Sequence, residues 1–214
     1  MDESRRRVTL MTLNTLPLAA LTPWALGLFR GPEASAPGRS PAGEIARRFP
    51  RVTLTTEQGQ RVRFYEDLVK GKKVLINFMF TECAESCPRT TANLVAVQHA
   101  FGDRVGRDVF FLSITLTPLR DTPPRLAAYA KEQGVGPGWR FLTGDMEDIN
   151  RVRRSLGVYD TADIAQHVGL VTYGNEPEGK WGATSALASP DRIAWAVRNR
   201  VDGWVAQPWP ARAS

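Results

Sequence analysis

The spacing of apolar residues changes period along the chain, and each change marks an element. Residues 73–80 form a nearly continuous apolar run, with Val74, Leu75, Ile76 and Phe78, the pattern of a central strand buried on both faces. Residues 109–116 repeat that pattern. Between them, Leu94, Val97 and Phe101 recur at helical spacing within 88–101. Upstream, 52–55 alternates, 57–60 turns the chain and 62–64 returns, which predicts a hairpin. Downstream, Pro123 and Pro124 open a helix over 125–132 that stops at Gly134. Residues 141–143 form a short strand, and Asp145 is placed to cap a helix over 146–156 that Gly157 ends. A second hairpin, 168–173 with 179–183, precedes a last helix over 190–205. A hairpin, a βαβ unit, another hairpin and a helix predict an α/β fold, a mixed central sheet flanked by helices on both faces.

The first 48 residues follow a different logic. Arg5, Arg6 and Arg7 precede residues 8–29, which carry no charge. That length suits a membrane-crossing helix, which takes ~20 residues, although its threonines and prolines dilute its apolar character. It reads either as an uncleaved anchor or as an export signal cut after Ala34-Ser35-Ala36. Pro37 directly after that cut is an awkward substrate for a peptidase and favours the anchor. The basic residues ahead of the segment keep the N-terminus in the cytoplasm, so both readings export the remainder. Residues 31–48, with Pro32, Pro37, Gly38 and Pro41, read as a flexible linker. The chain thus divides into an anchor or export signal at 1–30, the linker at 31–48, a folded domain at 49–205 and a tail at 206–214.

Composition narrows the chemistry. In 214 residues there are two cysteines and two histidines, which excludes a disulfide-rich scaffold, an all-cysteine zinc or iron–sulfur site and a three-histidine zinc site. Lys and Arg number 28 against 22 Asp and Glu, a net charge of +6, but the basic residues are scattered and form no stripe for nucleic acid. The charge permits docking to an acidic protein or an anionic lipid surface.

Cys83 and Cys87 lie between the end of the central strand and the start of the next helix. In open α/β sheets ligands bind at the carboxyl ends of strands, and a helix N-terminus lowers a thiol pKa. Pro88 suits the first turn of that helix. Three residues separate the cysteines, a spacing that permits a structural disulfide, a redox dithiol or a shared metal. A staple closing so short a loop would constrain the unfolded chain little. His167, just ahead of the penultimate strand, is either a hydrogen-bonded core histidine or a third metal ligand. Two thiolates and an imidazole suit Cu(I), whereas zinc would want a fourth ligand. His99 lies twelve residues beyond Cys87 on the same helix, ~18 Å along its axis, and reads as a surface residue.

Four blocks in order, 80–88, 113–123, 141–144 and His167 ahead of Pro177-Glu178-Gly179-Lys180, resemble the Sco/SenC family over about 49–201. The resemblance implies a thioredoxin-like fold with an added hairpin, a membrane tether, and a copper ion held by Cys83, Cys87 and His167. It implies a metallochaperone for the copper-containing subunit of cytochrome c oxidase, on the periplasmic side of the inner membrane or the equivalent face. The pair Cys83 and Cys87 would need a thiol reductant, since a disulfide cannot bind copper as two thiolates. The alternative role is a thiol–disulfide reductase acting on oxidase cysteines through the same pair. Thr117 and Gln166 stand where the family often carries aspartate. The three-residue spacing, with no proline beside His167, also differs from an ordinary thioredoxin-type oxidoreductase.

Overall fold

A computed structural model describes residues 47–82, 86–158 and 169–201, with backbone only at 86 and 87, all within the unit Arg39–Ser214. The anchor, most of the linker, the tail and the last residues expected in the final helix lie outside the described residues. Among the described residues no helix is long and apolar enough to cross a membrane.

Strands β1 (Thr53–Thr56), β2 (Arg61–Arg63), β3 (Lys73–Met79), β4 (Val109–Thr115), β5 (Trp139–Thr143), β6 (Leu170–Asn175) and β7 (Lys180–Ser185) form one sheet. Their order is β2-β1-β5-β4-β3-β6-β7. Strands β3, β4 and β5 run parallel, joined by helices α1 (Ser86–Phe101) and α2 (Pro123–Glu132). The two hairpins, β1–β2 and β6–β7, attach antiparallel at the β5 and β3 sides. Helices α3 (Met146–Ser155) and α4 (Pro190–Val201) complete the layers.

Alternating residues of the inner strands feed two cores. Leu75, Phe111 and Phe141 pack under α1, α2 and α4, with Leu94, Val97 and Phe101 of α1 buried as their spacing predicts. Val74, Ile76, Leu112 and Ile114 face the other way, against Ile149 and Val152 of α3 and Phe64, Tyr65 and Val69. Those last three belong to a wide helical turn, Phe64–Val69, that the sequence pattern did not disclose. The return strand of the first hairpin therefore stops at Arg63, and Asp67 accepts hydrogen bonds from both the Arg63 backbone N–H (2.8 Å) and its guanidinium (2.6 Å).

One polar chain ties the parallel strands together and one aspartate fixes the start of α3. Trp139 Nε1 donates to Ser113 Oγ (2.8 Å), which donates to Asn77 Oδ1 (2.6 Å), linking β5, β4 and β3 inside the core. Asp145 caps α3 through the N–H groups of Glu147 (2.8 Å) and Asp148 (3.2 Å), as expected for an aspartate at that position.

Candidate metal centre at the carboxyl end of the sheet

Strand β3 delivers the chain to the cysteine segment. It ends at Met79, and the half-buried Phe80 packs on the first core, leaving Thr81 and Glu82 to turn the chain outward. The β4–α2 connection folds back over that turn. Its Asp121 is wholly buried, and its carboxylate accepts hydrogen bonds from the Thr81 N–H (3.2 Å) and from the hydroxyls of Thr81, Thr115 and Thr117 (2.5, 2.5 and 3.0 Å). A buried carboxylate is tolerable only when so many donors replace its water. The same connection is folded on itself: the N–H groups of Arg120 and Asp121 both donate to the Thr117 carbonyl (2.9 Å each).

Glu82 is gripped from two sides. Arg120 Nη1 donates to one carboxylate oxygen (2.6 Å) and Arg125 Nη2 to the other (2.9 Å), while Arg125 Nε also donates to Thr81 Oγ1 (2.9 Å). The Arg120 hydrogen bond and the charges of both guanidiniums hold the Glu82 carboxyl below the usual carboxylate range. The partners of Glu82 come from the next connection and from the first turn of α2. The 113–123 block contains Arg120 and Asp121, and Arg125 lies two residues beyond it on α2, but their bonds to Thr81 and Glu82 span 38 to 44 residues, so nothing local announces them.

The residues expected to hold the metal are placed as follows. Cys83 and His167 lie outside the described residues. Cys87 is the second residue of α1, a backbone position in the first turn of a 16-residue helix. The described strands nearest to Cys83 and His167 in the chain, β3 and β6, pair with each other. Asn77 of β3 pairs with Val171 of β6 in antiparallel register, so the exit of β3 and the entry of β6 share one end of the sheet. Cys83 follows Glu82 directly, and His167 is two residues from Gly169, a reach of at most ~7 Å from that glycine. Among the described residues no cluster of three His, Cys, Asp or Glu could hold a metal ion.

A cleft among the described residues lies elsewhere. Its volume is about 1030 Å³ and its walls include Lys72, His99, Arg107, Phe110, Gly138 and Arg140, at the amino ends of β4 and β5. Arg140 there is committed to Glu57 (2.9 Å), and Lys72 to the Asp67 carbonyl and the Phe110 ring. His99 is exposed, as its helical position predicts. This cleft is at the far end of the parallel strands from the cysteine segment.

Comparison with known proteins gives one consistent assignment. The sequence model of the SCO1/SenC family matches residues 40–173. The mitochondrial protein SCO1 homolog 1 of Arabidopsis thaliana is 32% identical over 132 residues, covering 59% of this chain and 38% of that protein. The human mitochondrial protein SCO1 homolog is 33% identical over 138 residues, covering 60% of this chain and 44% of that protein. The match thus spans less than half the length of these relatives. Among solved structures, Arabidopsis thaliana ScoI with copper bound is 26% identical, with a TM-score of 0.60 over 73% of this chain and 99% of that one. Bradyrhizobium japonicum ScoI with copper bound is also 26% identical, with a TM-score of 0.56 over 70% and 96%. The shared architecture is the thioredoxin-like fold of the Sco proteins. With more than half of its residues matched, including the stretch from Cys83 to His167, this chain belongs to the SCO1/SenC family.

Proposed function

We propose that this protein is an exported, membrane-tethered copper carrier that holds one copper ion through Cys83, Cys87 and His167 and passes it to the copper-containing subunit of a cytochrome c oxidase. The observation that carries the reading is the convergence at one end of the sheet: β3 leads into Cys83, β6 begins just after His167, and the two strands pair there. Structures of two family relatives contain copper. The donor set is chemically suited, because soft thiolates with an imidazole favour Cu(I) and tolerate low coordination. Cys83 and Cys87 would bind as thiolates after a thiol reductant opens any disulfide, and His167 as neutral imidazole. Transfer then needs only ligand exchange, with the sulfurs of the acceptor replacing those of the carrier. The uncharged segment at 8–29 would hold the domain at the periplasmic face of the inner membrane or its equivalent.

The test is copper stoichiometry on the reduced full-length protein in detergent. One copper per chain, lost in Cys83→Ser and separately in His167→Ala, supports the reading. Binding that survives both substitutions contradicts it.

One observation favours a second role on the same residues. Cys87 is a backbone position in the first turn of α1, and a helix N-terminus in general favours a thiolate, the form that thiol–disulfide exchange needs. A reductase of oxidase cysteines would need both cysteines and not His167. His167→Ala that abolishes copper binding and leaves disulfide reduction intact would establish this as a separate activity.

A further inference from the structure

We propose that Arg120, Asp121 and Arg125 form a cradle that positions the Thr81–Glu82 turn, and that Glu82 is the grip through which the cradle sets the geometry of the copper-holding thiol at Cys83. The inference rests on the copper reading above and names residues that reading does not use.

Four observations support it. Asp121 is wholly buried and spends its acceptor capacity on Thr81, Thr115 and Thr117, so it pins the turn to the end of β4. Arg125 then bridges the two residues of the turn, donating to the Thr81 hydroxyl (2.9 Å) and to the Glu82 carboxylate (2.9 Å). Arg120 closes the other side of Glu82 (2.6 Å). Finally, the energetics do not explain the arrangement as a stability device. The side chains of Arg120, Arg125 and Glu82 are 70%, 45% and 42% exposed, and ion pairs that exposed add little to folding. Two guanidiniums placed on the two oxygens of one carboxylate instead restrict where that carboxylate can be. Its backbone carries the next residue, Cys83. Partners that orient metal ligands from behind govern affinity because a misaligned ligand must be reorganised when the metal arrives.

The sign of one substitution separates positioning from plain electrostatics. Removing the Glu82 charge leaves the guanidiniums of Arg120 and Arg125 unopposed one position before Cys83 in the chain. Electrostatics alone would then stabilise a thiolate and tighten copper binding. Loss of the grip would weaken it.

The experiment compares reduced full-length wild type, Glu82→Ala, Glu82→Gln and the Arg120→Ala/Arg125→Ala pair. Cu(I) affinity is measured by competition with a chromogenic chelator, the disulfide potential against a glutathione buffer, and thermal unfolding without metal. The expected result is Cu(I) affinity about 10–100-fold weaker in Glu82→Ala and in the arginine pair, the range typical of partners behind metal ligands. Glu82→Gln, which keeps an acceptor for one arginine, should recover part of the loss. The disulfide potential should shift in Glu82→Ala, and the melting temperature should stay where it is in the wild type. Unchanged or tighter copper binding in Glu82→Ala overturns the cradle. Wild type that binds no copper overturns the underlying copper reading instead, so the two failures are distinguishable.

Discussion

At the scale of single residues, two buried polar groups carry consequences out of proportion to their size. Ser113 is both acceptor for Trp139 and donor to Asn77. Ser113→Ala strands both neighbours in the core, and the expected loss is about 1–3 kcal/mol of unfolding free energy in urea. Asp121 gathers four hydrogen bonds onto a carboxylate with no exposure. Asp121→Ala should cost roughly 2–4 kcal/mol, because the hydrogen bonds are charge-assisted and their donors lose a buried acceptor. Urea unfolding checks this too, and a loss below that of an ordinary surface substitution would contradict it. Neither group is visible as a pair in the sequence. Ser113 looks like an interruption in an apolar strand, and Asp121 like one more loop carboxylate. Their roles depend on a register and a loop path that only the assembled sheet defines.

At the scale of elements, what could be read from the sequence followed the purity of each pattern. Strands β3 and β4 and helix α1 were legible because each keeps one period over seven or more residues. The turn at Phe64–Val69 was not, since six residues hold too little of a helical period to stand out from a strand ending. The pairing of β1 with β5 was hidden for another reason. It joins segments more than 80 residues apart, and nothing in either announces the partner. Close approach is similarly silent in sequence. Gly138 has φ +83°, and a Cβ there would lie 2.3 Å from the Gly106 nitrogen. Gly138→Ala should therefore destabilise by more than ~1 kcal/mol, seen as a lower urea midpoint. The elements also share an acid sensitivity. Asp67, tied to Arg63, is held down to about 2 from an ordinary 3.8, and Glu147 and Glu178 are also lowered by basic partners. Groups whose folded pKa is depressed stabilise fully above their unfolded values and lose that contribution as pH falls through the folded ones. The melting temperature should be flat near neutrality and fall from about pH 4 toward pH 2, with Asp67→Asn showing a shallower fall over that window.

At the scale of the whole molecule, one sheet brings distant segments to a common end. The block carrying the cysteines, the 113–125 stretch with the cradle and the entry to β6 after His167 are spread over nearly 90 residues, yet the described strands lead toward or away from the carboxyl end of β3 and β4 at each of them. The cysteine segment and His167 stand out in the sequence by residue type and order. The cradle does not, because Arg120 and Asp121 look like ordinary loop residues and Arg125 like a helix-surface cation until the connection folds back. The cleft lined by Lys72, Arg107 and Arg140 opens at the opposite end. The central claim is that an imidazole remote in the chain joins two sulfurs on one copper ion. X-ray absorption at the copper edge of the reduced, copper-loaded full-length protein tests it most directly. The account predicts two sulfur scatterers and one nitrogen scatterer, with the nitrogen shell lost in His167→Ala. A sulfur-only shell in the wild type, unaltered by that substitution, would contradict it.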